Sequence, residues 1–331
     1  MPEQRQITLD DVKNFIRQMT PNPDYLYIIL PYSVGDFFNI GGLSLAVQKK
    51  KNKSATVLIV KDRLKNLGVT YENFAGIIFL PENIMALICR YIYATGNYEG
   101  DNYIYGHFRI KSQSGEYVWD ESLNLIDRYK QDVFKIPMDT PYTKPVVPPL
   151  TDENIAALRG KYTLDTERTI IICPYAHSVK NINDTHWKNL ARKLKNKNYI
   201  VYTNVAGDEK SLAGTKPLHV NLSELNFIAD KVKCFIGLRS GIFDFLAMTG
   251  AKIFCIDTFP WWWHKLNILY PECNCKTIYN AVDYISPLGI YFKEDDVNCQ
   301  LKLSHPHIDA EDVCYSYEEI FNKVLNEIEK V

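Results

Sequence analysis

The sequence predicts an α/β protein built as two doubly wound, Rossmann-like domains of parallel strands. Three observations carry that expectation. Short apolar runs rich in Ile, Val and Cys recur along the chain, each followed by a polar or glycine-bearing turn, the pattern of strands buried on both faces. Segments with apolar residues at helical spacing separate these runs. At 331 residues the chain is too long for one ordinary core, and a proline-rich passage at residues 137–149 interrupts it. The expected division is 1–150, 151–312 and a terminal helical segment, 313–331, that could return to brace the first domain.

In the first domain, Val12, Phe15, Ile16 and Met19 mark a short covering helix that stops before the PNP at residues 21–23. The first strand covers residues 25–31. Gly35 and Asp36 are expected just beyond its end, ahead of a helix over 37–47 whose beginning Gly41 and Gly42 would loosen. Strands follow at 55–61 and 76–81, with a short helix ending at Gly68 between them and another helix over 84–93. Residues 93–121 pack tyrosines, glycines, His107 and Arg109 into an irregular stretch. Such a stretch is either a binding loop or a pair of short strands with ordinary aromatic packing. A helix over 122–134 leads into the proline-rich linker.

The second domain opens with a helix over 152–162 and a strand over 169–174. Asp184 or Thr185 can cap the next helix, whose Trp187, Leu190, Ala191 and Leu194 face the sheet. Strands are expected at 199–203, near Pro217, at 234–238 and at 251–259, with a helix carrying Leu225, Ile228 and Ala229 before the third of these. Ile320, Phe321, Val324, Leu325 and Ile328 form the apolar stripe of a final amphipathic helix. Three adjacent tryptophans, Trp261 to Trp263, cannot all be buried on one face of a regular element, and interdomain packing is their simplest use.

Composition narrows the class. With 46% hydrophobic and 23% charged residues the chain is a soluble globular type rather than a disordered one. A net charge of -1 and a pI near 6.7 give no uniform attraction for nucleic acid, and the lysines at 49–53 read as a solvated helix end. The eight cysteines form no framework and no signal peptide opens the chain, so reduced thiols and a cytoplasmic location are expected. Cys273 and Cys275 have no matching second pair, and no metal site is expected. No apolar run approaches the roughly 20 residues that span a bilayer, which leaves peripheral contact at the inner face of the membrane as the only membrane association expected.

The local chemistry concentrates at GLRSGIFD, residues 237–244. Arg239 can pair with phosphate oxygens in bidentate fashion, and Ser240, Gly241 and the amides after them can form a donor end suited to a diphosphate. Arg239 can equally pair with Asp244 to fix the turn. Asp36 is either a turn or N-cap residue or an ionised group beside helix amides. His107 and Arg109 can meet an anion, and tyrosines such as Tyr105 can stack on sugars or bases. The Walker, GxGxxG, GxSxG and HExxH patterns are absent, which removes the best supports for ATPase, dinucleotide, hydrolase and zincin readings.

The strand ending in GD near the N terminus resembles the opening of the ADP-heptose:lipopolysaccharide heptosyltransferases. ICPYAHSVKNINDTHWKNLARKL and LSELNFIADKVKCFIGLRSGIFDFLAMTGAKIFCI are similar to that family's second-domain strand, loop, Trp-bearing helix and donor-binding core. Where the family usually has an acidic residue, Thr or Ser, Gly and a later His, this chain has Arg239, Ser240, Gly241 and Asp244, which resembles a broader set of bacterial polysaccharide glycosyltransferases. The resemblance implies a GT-B architecture, with two doubly wound domains facing a donor–acceptor cleft, and metal-independent, cofactor-free transfer from a nucleotide-sugar to a hydroxyl of a cell-envelope glycan or glycolipid such as lipopolysaccharide or capsule. It implies Asp36 as base and Arg239, with the Ser240–Gly241 backbone, as stabiliser of the leaving diphosphate. Lys180 would reinforce that charge binding, Asn204 and Glu224 would contact base or ribose, and Tyr105, His107 and Arg109 would bind acceptor. A nucleotide-sugar epimerase or hydrolase and a noncatalytic sugar-binding assembly protein are the alternatives.

Overall fold

The computed structural model describes residues 8–107, 125–176, 181–238, 240–257, 289–293 and 317–330. The chain divides into two compact units, Met1–Val146 and Val147–Val331.

The first unit is built on a parallel sheet of β1 (Tyr25–Leu30), β2 (Ala55–Lys61), β3 (Phe74–Leu80) and β4 (Tyr103–Tyr105), in the order β3-β2-β1-β4. β1 is central, and its Leu26 to Leu30 are almost wholly shielded from solvent, as its unbroken apolar run requires. On one face α1 (Leu9–Met19) and α3 (Glu82–Thr95) bring Val12, Ile16, Met85, Ile88 and Ile92 against Tyr27, Ile29, Val57 and Ile59.

α2 (Val34–Lys50) starts earlier than its sequence suggests. Gly41 and Gly42 do not loosen it; they are seats for aromatic rings. A Cβ at Gly41 would fall 2.1 Å from the Tyr71 ring, and one at Gly42 would fall 2.2 Å from that of Tyr142. Farther along the helix Asn73 bonds Ser44, Gln48 and Thr56 at 3.0–3.2 Å, tying α2 to β2 through a shared polar network. The expected helix ending at Gly68 is only a single 3₁₀ turn, Asp62–Leu64.

α4 (Leu125–Arg128) passes directly into a π-helical turn, Tyr129–Phe134, where the sequence suggested one regular helix. Much of the proline-rich passage that follows is a strap. Tyr142 donates to the Phe38 carbonyl at 2.5 Å, Thr143 Oγ1 donates to that of Gly42 at 3.0 Å, and Val146 forms an antiparallel bridge with Thr70.

The second unit contains α5 (Asp152–Lys161), β5 (Thr169–Cys173), α6 (Asp184–Asn196), β6 (Ile200–Asn204), β7 (Lys216–Leu218), α7 (Leu222–Ile228), β8 (Cys234–Leu238), α8 (Gly241–Leu246), β9 (Ile253–Asp257), β10 (Gly289–Lys293) and α9 (Tyr317–Ile328). Its strands are parallel, in the order β10-β9-β8-β5-β6-β7. That is the doubly wound order in which successive strands build outward on one side of the first strand and then on the other. The core gathers Ile170, Ile172, Ile236, Phe254 and Ile256 beneath α6.

The sequence left the destination of the final helix open. In the structure Phe321, Val324, Leu325 and Ile328 join this second core, and the Phe321 ring lies 5.0 Å from that of fully buried Trp187. The α6 cap is Asn183, one residue before the expected Asp184 or Thr185, and its side chain accepts from Thr185 N.

Candidate active site

In each sheet the direction of chain winding reverses at the first strand, and ligands of such sheets bind beyond the carboxyl ends of the strands at that point. In the first unit the reversal lies between β1 and β4. In the second it lies between β5 and β8.

β1 ends at Leu30, and Ser33 caps α2 three residues later. Asp36 therefore sits in the first helical turn rather than in a loop. This follows from the SxxD spacing, which makes a capping box. Ser33 donates to Asp36 Oδ2 through its main-chain N–H at 3.1 Å and its hydroxyl at 3.0 Å. Tyr129 donates to Oδ1 at 2.9 Å. Asp36 is half-buried, and the helix amides favour its negative charge.

β4 leads to Gly106, whose amide donates to the Ile29 carbonyl at 2.9 Å, and then to His107. The His107 ring lies 4.0 Å from that of Tyr32, so these two half-buried rings share the carboxyl edge of β1 and β4. Tyr105 does not join them as an acceptor contact. It is 1% exposed, and its hydroxyl faces the Tyr93 hydroxyl at 3.3 Å and Cys89 Sγ at 3.7 Å. An inward-pointing residue of a buried strand cannot present its ring to solvent, and burial drives its phenol far above the ordinary range.

In the second unit, β5 and β8 pair with Cys173 opposite Gly237. Beyond β8, Ser240 is the cap residue of α8 and Gly241 its first residue. The Ser240 hydroxyl is buried with no hydrogen-bond partner among the described residues, and Asp244, one turn on, is fully buried. Asn204 is the half-buried last residue of β6, on the same edge. Glu224 has a local job: its Oε2 accepts from Asn221 N at 2.8 Å in the capping box of α7, and Asn221 Oδ1 accepts from Glu224 N at 2.9 Å. Lys180, Arg239, Arg109 and Trp261 to Trp263 lie outside the described residues.

The structure thus places Asp36 and His107 on the carboxyl edge of the first sheet, and Asn204, Ser240 and Gly241 on that of the second. Sequence reasoning missed Tyr32, Ser33 and Tyr129. The SxxD spacing was a sufficient signal for Ser33, whereas nothing local announces a tyrosine 93 residues from its partner. A cavity of about 710 Å³ in the second unit, lined by Arg159, Lys161, Tyr162, Tyr202, Lys216 and Lys231, opens beside the segments that enter β5, β7 and β8, away from the carboxyl edge. Among the described residues no cluster of three or more His, Cys, Asp or Glu could hold a metal ion, and no helix is long and apolar enough to cross a membrane.

No family model matches the sequence, and no curated protein matches it significantly. Solved structures do. A glycosyl transferase family 9 protein from Veillonella parvula superposes with a TM-score of 0.58 at 11% identity, covering 93% of this chain and 97% of that one. The dodecameric iron-containing heptosyltransferase TibC of enterotoxigenic E. coli, solved with ADP-D-beta-D-heptose, superposes with a TM-score of 0.53 at 13% identity, covering 92% of this chain and 76% of that one. At such identities the likeness speaks for the backbone, and the chain has the GT-B fold of these glycosyltransferases.

Proposed function

We propose that this protein transfers a sugar from a nucleotide-sugar to a hydroxyl of a bacterial cell-envelope glycan or glycolipid. The observation that carries the reading is the second sheet, whose doubly wound order brings the Ser240–Gly241 turn to the winding reversal beside β5. The fold shared with the family 9 glycosyltransferase and TibC supports it.

In this reading the diphosphate of the donor lies on the Ser240–Gly241 backbone, with Arg239 and Lys180 meeting its charge. Asn204 and Glu224 border the base and ribose. The acceptor lies on the first unit against Tyr32, His107 and Arg109. Its hydroxyl oxygen bonds to the anomeric carbon as the bond from that carbon to the diphosphate oxygen breaks, and the nucleoside diphosphate leaves with the electron pair. Asp36 takes the hydroxyl proton. The leaving charge is met by cations and amides of the chain, so the reaction runs without metal or cofactor. Such a protein works in the cytoplasm at the inner face of the membrane, where nucleotide-sugars and lipid-linked acceptors meet.

The test is a donor panel of ADP-, GDP-, UDP-, CMP- and dTDP-sugars with cell-envelope glycans, scored by mass spectrometry with and without EDTA. Transfer that persists in EDTA and vanishes in Asp36→Asn and Arg239→Ala supports the whole reading. Conversion of donor without a glycosylated product points to an epimerase or hydrolase. The engagement of both Asp36 oxygens in fold contacts favours a second reading, a noncatalytic sugar-binding protein. That reading requires sugar binding to survive Asp36→Asn with no transfer by the native chain.

A further inference from the structure

We propose that Tyr129 is the positioning residue for the Asp36 carboxylate, and that Oδ1 is the oxygen that takes the acceptor proton. The inference rests on the transferase reading above. Oδ2 receives two donors from Ser33, at 3.1 and 3.0 Å. A carboxylate oxygen offers two lone-pair sites, so Oδ2 is filled. Among the described residues Oδ1 receives one donor, the Tyr129 hydroxyl at 2.9 Å, which leaves one site for a proton. Ser33 fastens the carboxylate to the head of α2. Tyr129 fixes its rotation and so aims the remaining lone pair.

The segment that delivers this hydroxyl is built for position. Tyr129 is 1% exposed and stands between Arg128 at 1% and Lys130 at 0%. Burying cations is costly, several kcal/mol each before they are paired. Lys130 Nζ is held by the Met138 carbonyl at 2.7 Å and by Asp127 Oδ1 at 3.2 Å. Lys50 Nζ, on α2 itself, binds the carbonyls of Phe134 and Lys135 at 2.9 and 2.8 Å, so the end of the π turn is tied to the helix that carries Asp36. The Phe134 ring stacks on Tyr129 with centroids 6.2 Å apart. π turns of this kind recur at functional sites because the extra residue re-aims side chains.

In the transfer step the acceptor O–H bond breaks and its proton goes to Oδ1. The oxygen's electron pair forms the new bond to the anomeric carbon, and the old bond to the diphosphate oxygen breaks toward the leaving nucleotide. Tyr129 transfers no proton.

Tyr129→Phe removes the hydroxyl and keeps the ring stack, so it separates aim from fold. With the donor and glycan identified by the panel, kcat should fall about tenfold, with KM for both substrates unchanged, the scale of one hydrogen bond to a charged group. A readout needing no substrate is the ¹³Cγ resonance of Asp36 in the full chain, assigned with Asp36→Asn. Loss of the Tyr129 donor should shift that resonance at fixed pH, and retention of Ser33, Arg63, Asp127, Arg128 and Lys130 keeps the neighbouring groups constant. An unmoved Asp36 ¹³Cγ resonance overturns the inference whether or not a substrate is known. So does a variant that loses melting temperature while keeping kcat. Full transfer by Asp36→Asn would instead remove the base, and with it the reading on which this one stands.

Discussion

Gly237 and Cys173 face one another across β8 and β5 so closely that a Cβ on Gly237 would stand 2.3 Å from the Cys173 carbonyl oxygen and 2.8 Å from the Phe243 ring. The obstacle is backbone in the middle of a six-stranded sheet, with no flexible side chain to swing aside. Gly237→Ala should therefore cost about 3 kcal/mol, the upper end of overpacking penalties. Urea unfolding of the variant measures it, and an unchanged midpoint would mean that the two strands separate freely just before the Ser240–Gly241 turn.

Ser33→Ala removes the hydroxyl that holds Asp36 Oδ2 but leaves the main-chain donor in place. The expected loss is about 1 kcal/mol of stability, as for other helix caps. Because Tyr129 still holds Oδ1, kcat should fall less than in Tyr129→Phe. The reverse order of the two variants would assign the aiming of the carboxylate to Ser33.

Trp187 is fully buried and Phe321 3% exposed, with ring centroids 5.0 Å apart. Either residue replaced by alanine should cost about 3–5 kcal/mol. A double-mutant cycle should return a coupling of about 0.5–1.5 kcal/mol. Zero coupling would show that α9 contributes burial at this point without specific ring packing.

Burial pushes the Cys234 thiol from an ordinary 9.0 up to about 12, and Cys173 is raised in the same way. The folded chain thus holds these protons at pH values where the unfolded chain has released them. Their contribution is fully present below pH 9 and is lost as pH rises from there toward about 12, at up to about 1.4 kcal/mol per pH unit for each thiol. Unfolding titrations at pH 8, 9.5 and 11, compared with Cys234→Ala, check the sign. A thiol reagent at about pH 8.5 should label neither residue until the second unit unfolds.

Much of the fold was legible because both-face burial leaves a blunt signature: β1, β2, β5 and β8 coincide with the apolar runs of the sequence. Helix beginnings were less legible. α2 starts at Val34 because a capping box outweighs the glycines behind it, and those glycines answer to Tyr71 and Tyr142, rings from distant segments. An acidic residue in the first turn of a helix suits a cap as well as a ligand contact, and the capping role of Glu224 is visible only in its 2.8 Å bond to Asn221. Tyr105 was misassigned because a tyrosine in a three-residue strand gives no sign of which face it takes. Partnerships across the chain, such as Tyr129 with Asp36, exist only in the folded geometry.

The packing of α9 on α6 also has a consequence during synthesis. Lys193 of α6 bonds Asn322 of α9 across 129 residues of sequence. At roughly 5–20 residues per second, a ribosome needs about 6–26 s to make that interval. Throughout it the apolar stripe of α6 lacks the helix that covers it, and the second unit waits with an open seam on its Trp187 face. Contacts this distant also close slowly by diffusion. Until α9 emerges, Trp187 on α6 lacks the Phe321 ring it packs against, and that face is left open to other apolar surfaces.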